Sequence, residues 1–396
     1  MNQTWVGALR AEFPATARAA FFDAAYENCG SLFARRAAER FFEDKADIGP
    51  GLVKAGGAGK GAAIEVIART RAMLSDFLNA GGVDRVAFTP NTTQGVGQVL
   101  EGFDFSPGDN IVVAALEHVA VLMPCLHLKR RGVEVRVVET ENPLILREED
   151  LLGAADARTR FIVCSYVQST SGCKLDMKAL TDAAHARGIY VVTDAIQALG
   201  FERVDARALG VDALSGSPYK GMLGIEGMGF LYVAPKLCER LTPAFAGDNP
   251  AMTVDRERWE LAFKPDRGPS DARKFEAGTI PFLSIYCLNA ALERIAQIGP
   301  ENIEAHVRAC WDRAYAIVTD LDYEVVTDPD PARHSHSLLV RVGDAKAFVD
   351  FAIGRGVFLS AGRDGCVRVS VAPFTTGADL DALGRAFRDY KYLPER

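Results

Sequence analysis

Between about residues 60 and 235, short β-branched runs alternate with helical periods, a rhythm that few folds tolerate. The runs Val86–Thr89, Asn110–Leu116, Val133–Glu139, Arg160–Val167, Ile189–Thr193, Ala213–Leu214 and Gly229–Val233 read as strands. Helical patterns at Thr92–Gly102, Val119–Arg131 and Asp176–Arg187 fall between them. Strands alternating with helices in this way imply an α/β fold, with a mostly parallel seven-stranded sheet covered by helices on both faces. In such sheets a ligand sits beyond the carboxyl ends of the strands.

A second compositional unit begins near residue 290. Helix 302–320, strands 323–327 and 337–342, helix 344–355, strands 357–361 and 366–372 and helix 377–391 read as a smaller α+β domain. A chain of 396 residues is long enough for two domains. The expected division is a large domain over residues 20–289 and a small one over 290–396, with residues 1–19 packed on the latter. Between the units runs Gly247–Ala272, rich in Pro, Gly and charge, and too long for a plain connection. The segment Gly49–Gly61 superficially suggests a phosphate loop. Residue 54 is Lys where that loop needs Gly, and Lys60 precedes Gly61 where Ser or Thr is required, so a flexible border to the site is expected instead.

The net charge of −7, without a basic run of five, argues against nucleic acid or an anionic membrane as partner. No apolar stretch approaches the roughly 18–20 residues of a membrane helix, and the N-terminus lacks a signal-peptide pattern. The eight cysteines are scattered without a C-x-x-C pair, which fits neither a disulfide framework nor a zinc site. No metal is expected, and a reducing cytoplasm is the simplest setting.

Two groups carry the chemistry. Asp194-Ala195-Ile196-Gln197 ends the strand Ile189–Thr193, and Ser217-Pro218-Tyr219-Lys220 lies just past Ala213–Leu214. An acid able to protonate a heterocycle and an amine able to form a Schiff base, on consecutive strand ends, describe a site for pyridoxal 5'-phosphate (PLP). A turn lysine and a helix-capping aspartate are the ordinary alternatives. Asn91-Thr92-Thr93 opens a helix directly after Val86–Thr89, where free N–H groups and the helix dipole suit a phosphate.

The chain resembles the class V aminotransferases, the cysteine-desulfurase-like branch of the fold-type I PLP-dependent enzymes. The resemblance runs from about residue 20 to the C-terminus. It rests on Glu117-His118, Thr193 to Ala198, Ser217 to Lys220, Phe275-Glu276-Ala277-Gly278-Thr279 and Val367-Arg368-Val369-Ser370. It implies that Lys220 is the Schiff-base lysine and the base for the Cα proton, and that Asp194 holds the ring nitrogen protonated. It gives Gln197 to the phenolate oxygen, His118 to stacking on the ring, and Thr92, Thr93 and Ser217 to the phosphate. Gly278 and Thr279 resemble the segment that reaches the phosphate from a neighbouring subunit, which implies a homodimer with shared sites. Arg368 matches the arginine that grips a substrate α-carboxylate, and Tyr26, Asn28 and Gly247–Ala272 border the substrate. Ser169 stands where the family usually has Asn, and Tyr219 where desulfurases commonly have His.

Desulfurases need a nucleophilic cysteine on a mobile loop. The segment before Arg368 is only Gly362-Arg363-Asp364-Gly365, too tight for such a carrier. Cys366, two residues from Arg368, shares its side of a strand, where packing is the ordinary role of a cysteine. The leading expectation is therefore Cα-proton chemistry on a small amino acid, as an aminotransferase or a β-eliminating C–S lyase. Cysteine desulfuration and epimerisation share the first step and stay open, as does a non-catalytic PLP scaffold or sensor.

Overall fold

The structure, a computed structural model, describes residues 4–49, 61–247, 250–264 and 266–393. Most of Gly49–Gly61 lies outside the described residues. The chain opens with helix α1 (Thr4–Ala11), strand β1 (Ala20–Phe21) and helices α2 (Leu32–Ile48) and α3 (Ala62–Phe77). Then come β2 (Val86–Thr89), α4 (Thr92–Gly102), β3 (Asn110–Ala114), α5 (Val119–His127), β4 (Glu134–Val138), α6 (Glu148–Ala154) and β5 (Thr159–Ser165). They are followed by α7 (Met177–His185), β6 (Tyr190–Asp194), α8 (Ala206–Leu209), β7 (Ala213–Gly216), β8 (Gly229–Val233) and α9 (Pro235–Cys238). A hairpin of β9 (Met252–Asp255) and β10 (Glu260–Phe263) precedes α10 (Phe282–Ile298) and α11 (Pro300–Thr319). The last elements are β11 (Ser337–Arg341), α12 (Ala345–Ile353), β12 (Val357–Phe358), β13 (Ser360–Ala361), β14 (Cys366–Ser370) and α13 (Gly377–Lys391).

The large sheet has the order β2-β8-β7-β6-β5-β3-β4, and β8 alone runs against the rest. Strands β2, β3, β7 and β8 are buried along their whole length, which explains their unbroken apolar runs. Alternate side chains feed opposite faces: Val112 and Ala114 enter one core, Ile111 and Val113 the other. Each such side chain contributes about 1.5–3 kcal/mol by leaving water. Because β3 pairs with both β4 and β5, the chain reverses its direction across the sheet there, and a crevice opens at the strand ends.

The sheet strands agree with the sequence reading to within one or two residues, and α4 and α13 agree at both ends. The helix expected over Val119–Arg131 is α-helical only to His127 and finishes as a 3-10 turn. Helices α2, α3 and α10 were not anticipated; α10 is apolar around most of its surface and so gives a weak period. Gly247–Ala272, too long for a plain connection, carries the β9–β10 hairpin.

Two expectations for the second unit are corrected. Residues 323–327 form no strand; they make one bridge, Val325 to Val340. The hydroxyl of Thr327 accepts the Leu339 N–H at 2.8 Å, taking a donor that the ladder would otherwise use. The strand expected over 357–361 is divided. Val357–Phe358 pairs in parallel with β1, whereas Ser360–Ala361 pairs antiparallel with β14, and the chain changes partner at the buried Leu359.

A buried ion pair ties α3 to the segment before α10. Arg71 donates to Glu276 at 2.5 and 3.2 Å and to the Val86 carbonyl at 2.8 Å, and Glu276 also accepts the Phe88 N–H at 2.8 Å. Arg71→Met keeps an apolar stem over the Phe88 ring but leaves the Glu276 carboxylate without its cation. It is expected to cost about 3–5 kcal/mol in urea unfolding; a loss under about 1 kcal/mol would contradict this account of the pair.

Candidate active site

The carboxyl ends of β2, β3, β5, β6 and β7 surround a cavity of about 130 Å³. A larger groove of about 490 Å³ lies between α2, α3 and α10. Its arginines are already paired with Glu12, Asp44 and Glu293, and no strand end reaches it. The smaller cavity therefore holds the candidate site.

One end of the cavity is the N-terminus of α4. Asn91 caps it by accepting the Gln94 N–H at 2.8 Å, and Thr92 and Thr93 line the opening. The Thr92 N–H donates to the Ser217 hydroxyl at 3.2 Å, and the two hydroxyls lie 3.0 Å apart. A side chain at Gly95 would strike Ser215 Oγ at 2.1 Å, so this glycine lets the helix end settle on β7. A helix dipole and converging hydroxyls make an anion cradle.

Asp194 and Lys220 form the floor. Asp194 ends β6, paired with Ser165 on β5 and Ser215 on β7. Burial raises its carboxyl to about 6 against the pull of the Ile196 N–H and Lys220. Burial lowers the Lys220 ammonium to about 8; Asp194 opposes that shift and the charge of Arg368 adds to it. His118 caps α5 through Nδ1, which accepts the Ala120 N–H at 3.1 Å. Burial, then Lys220 and Arg368, push its imidazole down, so it is neutral near neutral pH. The Lys220 turn packs closely on the turn after Asp194 because Gly200 sits at φ +81, where a Cβ would meet the Gly221 backbone at 2.2 Å.

Other candidates gather around this floor. Ser169 and Tyr219 line the cavity. Asn28 donates to the Lys220 carbonyl, and its N–H bonds the Tyr219 carbonyl at 3.0 Å, pinning the N-terminal segment on the lysine turn. Gln197 donates to the Ala25 carbonyl at 3.0 Å, leaving its Oε1 buried without a protein partner. Arg368 on β14 donates to the Ser169 carbonyl at 2.7 Å, joining the smaller sheet to the site. Gly278 and Thr279 do not line this chain's own cavity, and Thr279 is exposed. Tyr26 is also exposed.

The sequence reading missed two acids. Glu117 is fully buried and accepts from Ser165 N at 2.9 Å and Gln168 Nε2 at 2.7 Å, and also from the Ser165 hydroxyl; burial raises it to about 7. Its place directly before His118 was the available signal. Asp23 lies 3.6 Å from Arg368 Nη2, and nothing local in the sequence marks it.

These residues suit PLP. A buried amine and a buried acid beside an anion cradle supply partners for an aldehyde, a ring nitrogen and a phosphate.

Comparison with known proteins agrees. The profile of the family Aminotransferase class-V matches residues 52–383. A probable cysteine desulfurase of Methanothermobacter thermautotrophicus is 29% identical over 278 residues, 68% of each chain. Among solved structures, the cystine C–S lyase C-DES with its product cysteine persulfide superposes with a TM-score of 0.84 at 19% identity, covering 95% of this chain and 99% of that one. A C-DES variant with glycine covalently linked to the PLP cofactor gives a TM-score of 0.84 at 20% identity, covering 96% and 99%. At those identities the structures speak for the fold.

The lowered amine gives a pH expectation. Only a neutral amine attacks an aldehyde, so PLP uptake by cofactor-stripped protein should quicken as pH rises through about 8. Uptake rates that stay flat across that range, followed by the yellow colour, would count against a buried Lys220 amine as the attachment point.

Proposed function

We infer the reaction from one premise, that this chain belongs to the class V aminotransferase family and is a PLP-dependent enzyme. The proposed activity is Cα-proton chemistry on a small α-amino acid, as an aminotransferase or a β-eliminating C–S lyase. The observation that carries it is a buried amine and a buried acid facing one small cavity, with no cysteine among the residues that line it.

When bound, the cofactor takes up the electron pair left behind by the departing Cα proton. The proposed residue roles follow from the site. Lys220 holds the cofactor and, once displaced by the substrate amine, is the base that takes the Cα proton. An amine lowered to about 8 accepts that proton more readily near neutral pH than an ordinary, fully charged lysine. Asp194 keeps a proton on the ring nitrogen through a charged hydrogen bond in a dry setting, where it is strong. Thr92, Thr93 and Ser217 hold the phosphate, His118 lies against the ring and Gln197 meets its oxygen. Ser169 and Tyr219 shape the walls, Asn28 braces the lysine turn from the substrate side, and Arg368 orients the substrate carboxylate.

Cysteine desulfuration is the second reading, favoured by the archaeal relative's name. It would need a thiol at the substrate sulfur. Cys366 is fully buried among Leu144, Leu339 and Val326, about 6–7 Å along the strand from Arg368. The turn before it is closed by Gly362 N–H to the Cys366 carbonyl at 2.8 Å. Neither feature resembles a mobile carrier.

A homodimer is proposed as well, with Gly278 and Thr279 of a second copy completing the phosphate site. The exposed Thr279 supports it, as do the exposed Val119 and Met123 on α5 and Phe245 and Trp259 around the hairpin. All eight cysteines are free, which suits a reducing cytoplasm. Among the described residues no helix is long and apolar enough to cross a membrane.

Products separate the reactions. Small amino acids, cysteine included, should yield a keto acid, either with ammonia (elimination) or only when an acceptor keto acid is present (transamination). Alanine with protein-bound persulfide from cysteine would instead identify desulfuration. Lys220→Ala should lower kcat about 10²–10⁴-fold; an unchanged rate would remove Lys220 from the mechanism.

A further inference from the structure

The Arg368 guanidinium already has a carboxylate beside it. Nη1 is committed to the Ser169 carbonyl at 2.7 Å, while Nε is buried without a protein partner. Asp23 Oδ1 stands 3.6 Å from Nη2, close enough for an ion pair and too far for a hydrogen bond. The two side chains keep only 14% and 23% of their exposure, so water screens the pair poorly.

Asp23 is fixed there by its surroundings. Its carboxylate accepts the Ser360 hydroxyl on β13. Its backbone bridges Ser370, the Ser370 N–H donates to the Phe22 carbonyl at 2.9 Å, and the Ala25 N–H donates to Ser370 Oγ at 3.0 Å. The N-terminal segment is thus pinned to β14 two residues from Arg368. It presents a carboxylate beside Nη2 and leaves Nε, the other end of the edge that a bidentate carboxylate uses, without a protein partner.

We propose that Asp23 is a resident counter-anion of Arg368 that competes with the substrate's α-carboxylate and takes up a proton when that carboxylate binds. The inference rests on Arg368 being the carboxylate clamp. A second carboxylate on one partly screened guanidinium is repelled by the first, so affinity for acids is set by the charge on Asp23. Burial already raises the Asp23 carboxyl above its ordinary value; Ser360, Arg368 and Lys220 pull it down. The charged groups facing it are Arg368 from β14 and Lys220 from the connection after β7. An arriving carboxylate raises it further, so binding draws in a proton, and affinity improves as pH falls toward the Asp23 range.

The test uses holoenzyme and propionate, an acid without an amine to react with the cofactor, with propionamide as the uncharged control. Titration calorimetry in buffers of different ionisation heat reads both affinity and protons. Wild type should bind propionate progressively more tightly as pH is lowered from about 8 toward the Asp23 range, with proton uptake. Asp23→Asn, which can still accept from Ser360, should bind it about tenfold tighter at about pH 8 without that uptake. Unchanged or weaker binding by Asp23→Asn would make Asp23 a mere prop and overturn the proposal, as would wild-type binding without proton uptake. Arg368→Leu should abolish propionate binding. If it does not, the clamp itself is wrong; if it does while Asp23→Asn fails to tighten binding, only the role of Asp23 falls.

Discussion

A buried ammonium placed beside a buried carboxylate at adjacent strand ends governs the design of this protein. Lys220 and Asp194 lie where water is scarce, and burial drives both toward neutrality. Desolvating two charges costs more than their mutual attraction returns unless further polar partners are supplied. A site left in that condition is poised for a ligand that gives the amine an aldehyde and the acid a ring proton. The framework tolerates the tension because six of the seven sheet strands run parallel and bring their carboxyl ends to one edge.

The remaining parts serve that edge from two directions. The α4 N-terminus and Ser217 form the anion end, and the Ser215 hydroxyl ties that helix start to β7 by donating to the Thr92 carbonyl. From the other direction comes β14, which reaches the site through Arg368 and is tied to the N-terminal segment through Asp23 and Ser370. Glycine at 200 allows the lysine turn to pack close to the turn after Asp194, so the amine and the acid share one wall. The contacts of Asp23 with Arg368 and Ser370 join segments from opposite ends of the chain.

The legible parts of the site are those with local signatures. Asn91 followed by two threonines announces a helix start, and that helix begins at Thr92. Lys220 and Asp194 were visible because each follows a short apolar strand. The 323–327 segment was misread because its alternation is strand-like, whereas the Thr327 hydroxyl intercepts a ladder donor, an event no local pattern encodes. Cys366 looked like a thiol near the site, and it does lie on a strand with Arg368. Its burial against Leu144 and Leu339 depended on what packed over it.

Hydrophobic period, a short-range property, was enough to establish an α/β sheet from sequence alone, and strand-end chemistry marked an amine and an acid at its carboxyl edge. Tertiary structure decided which charges meet. Asp23 and Arg368 come together because β1 pairs with β12, and β13 and β14 pair beside it, with Ser370 bridging to Asp23. Strand pairing between distant segments is selected by the packing of whole faces rather than by neighbours in sequence. The same packing removes the water that would otherwise screen these groups, so their proton affinities belong to the fold and not to the residues themselves.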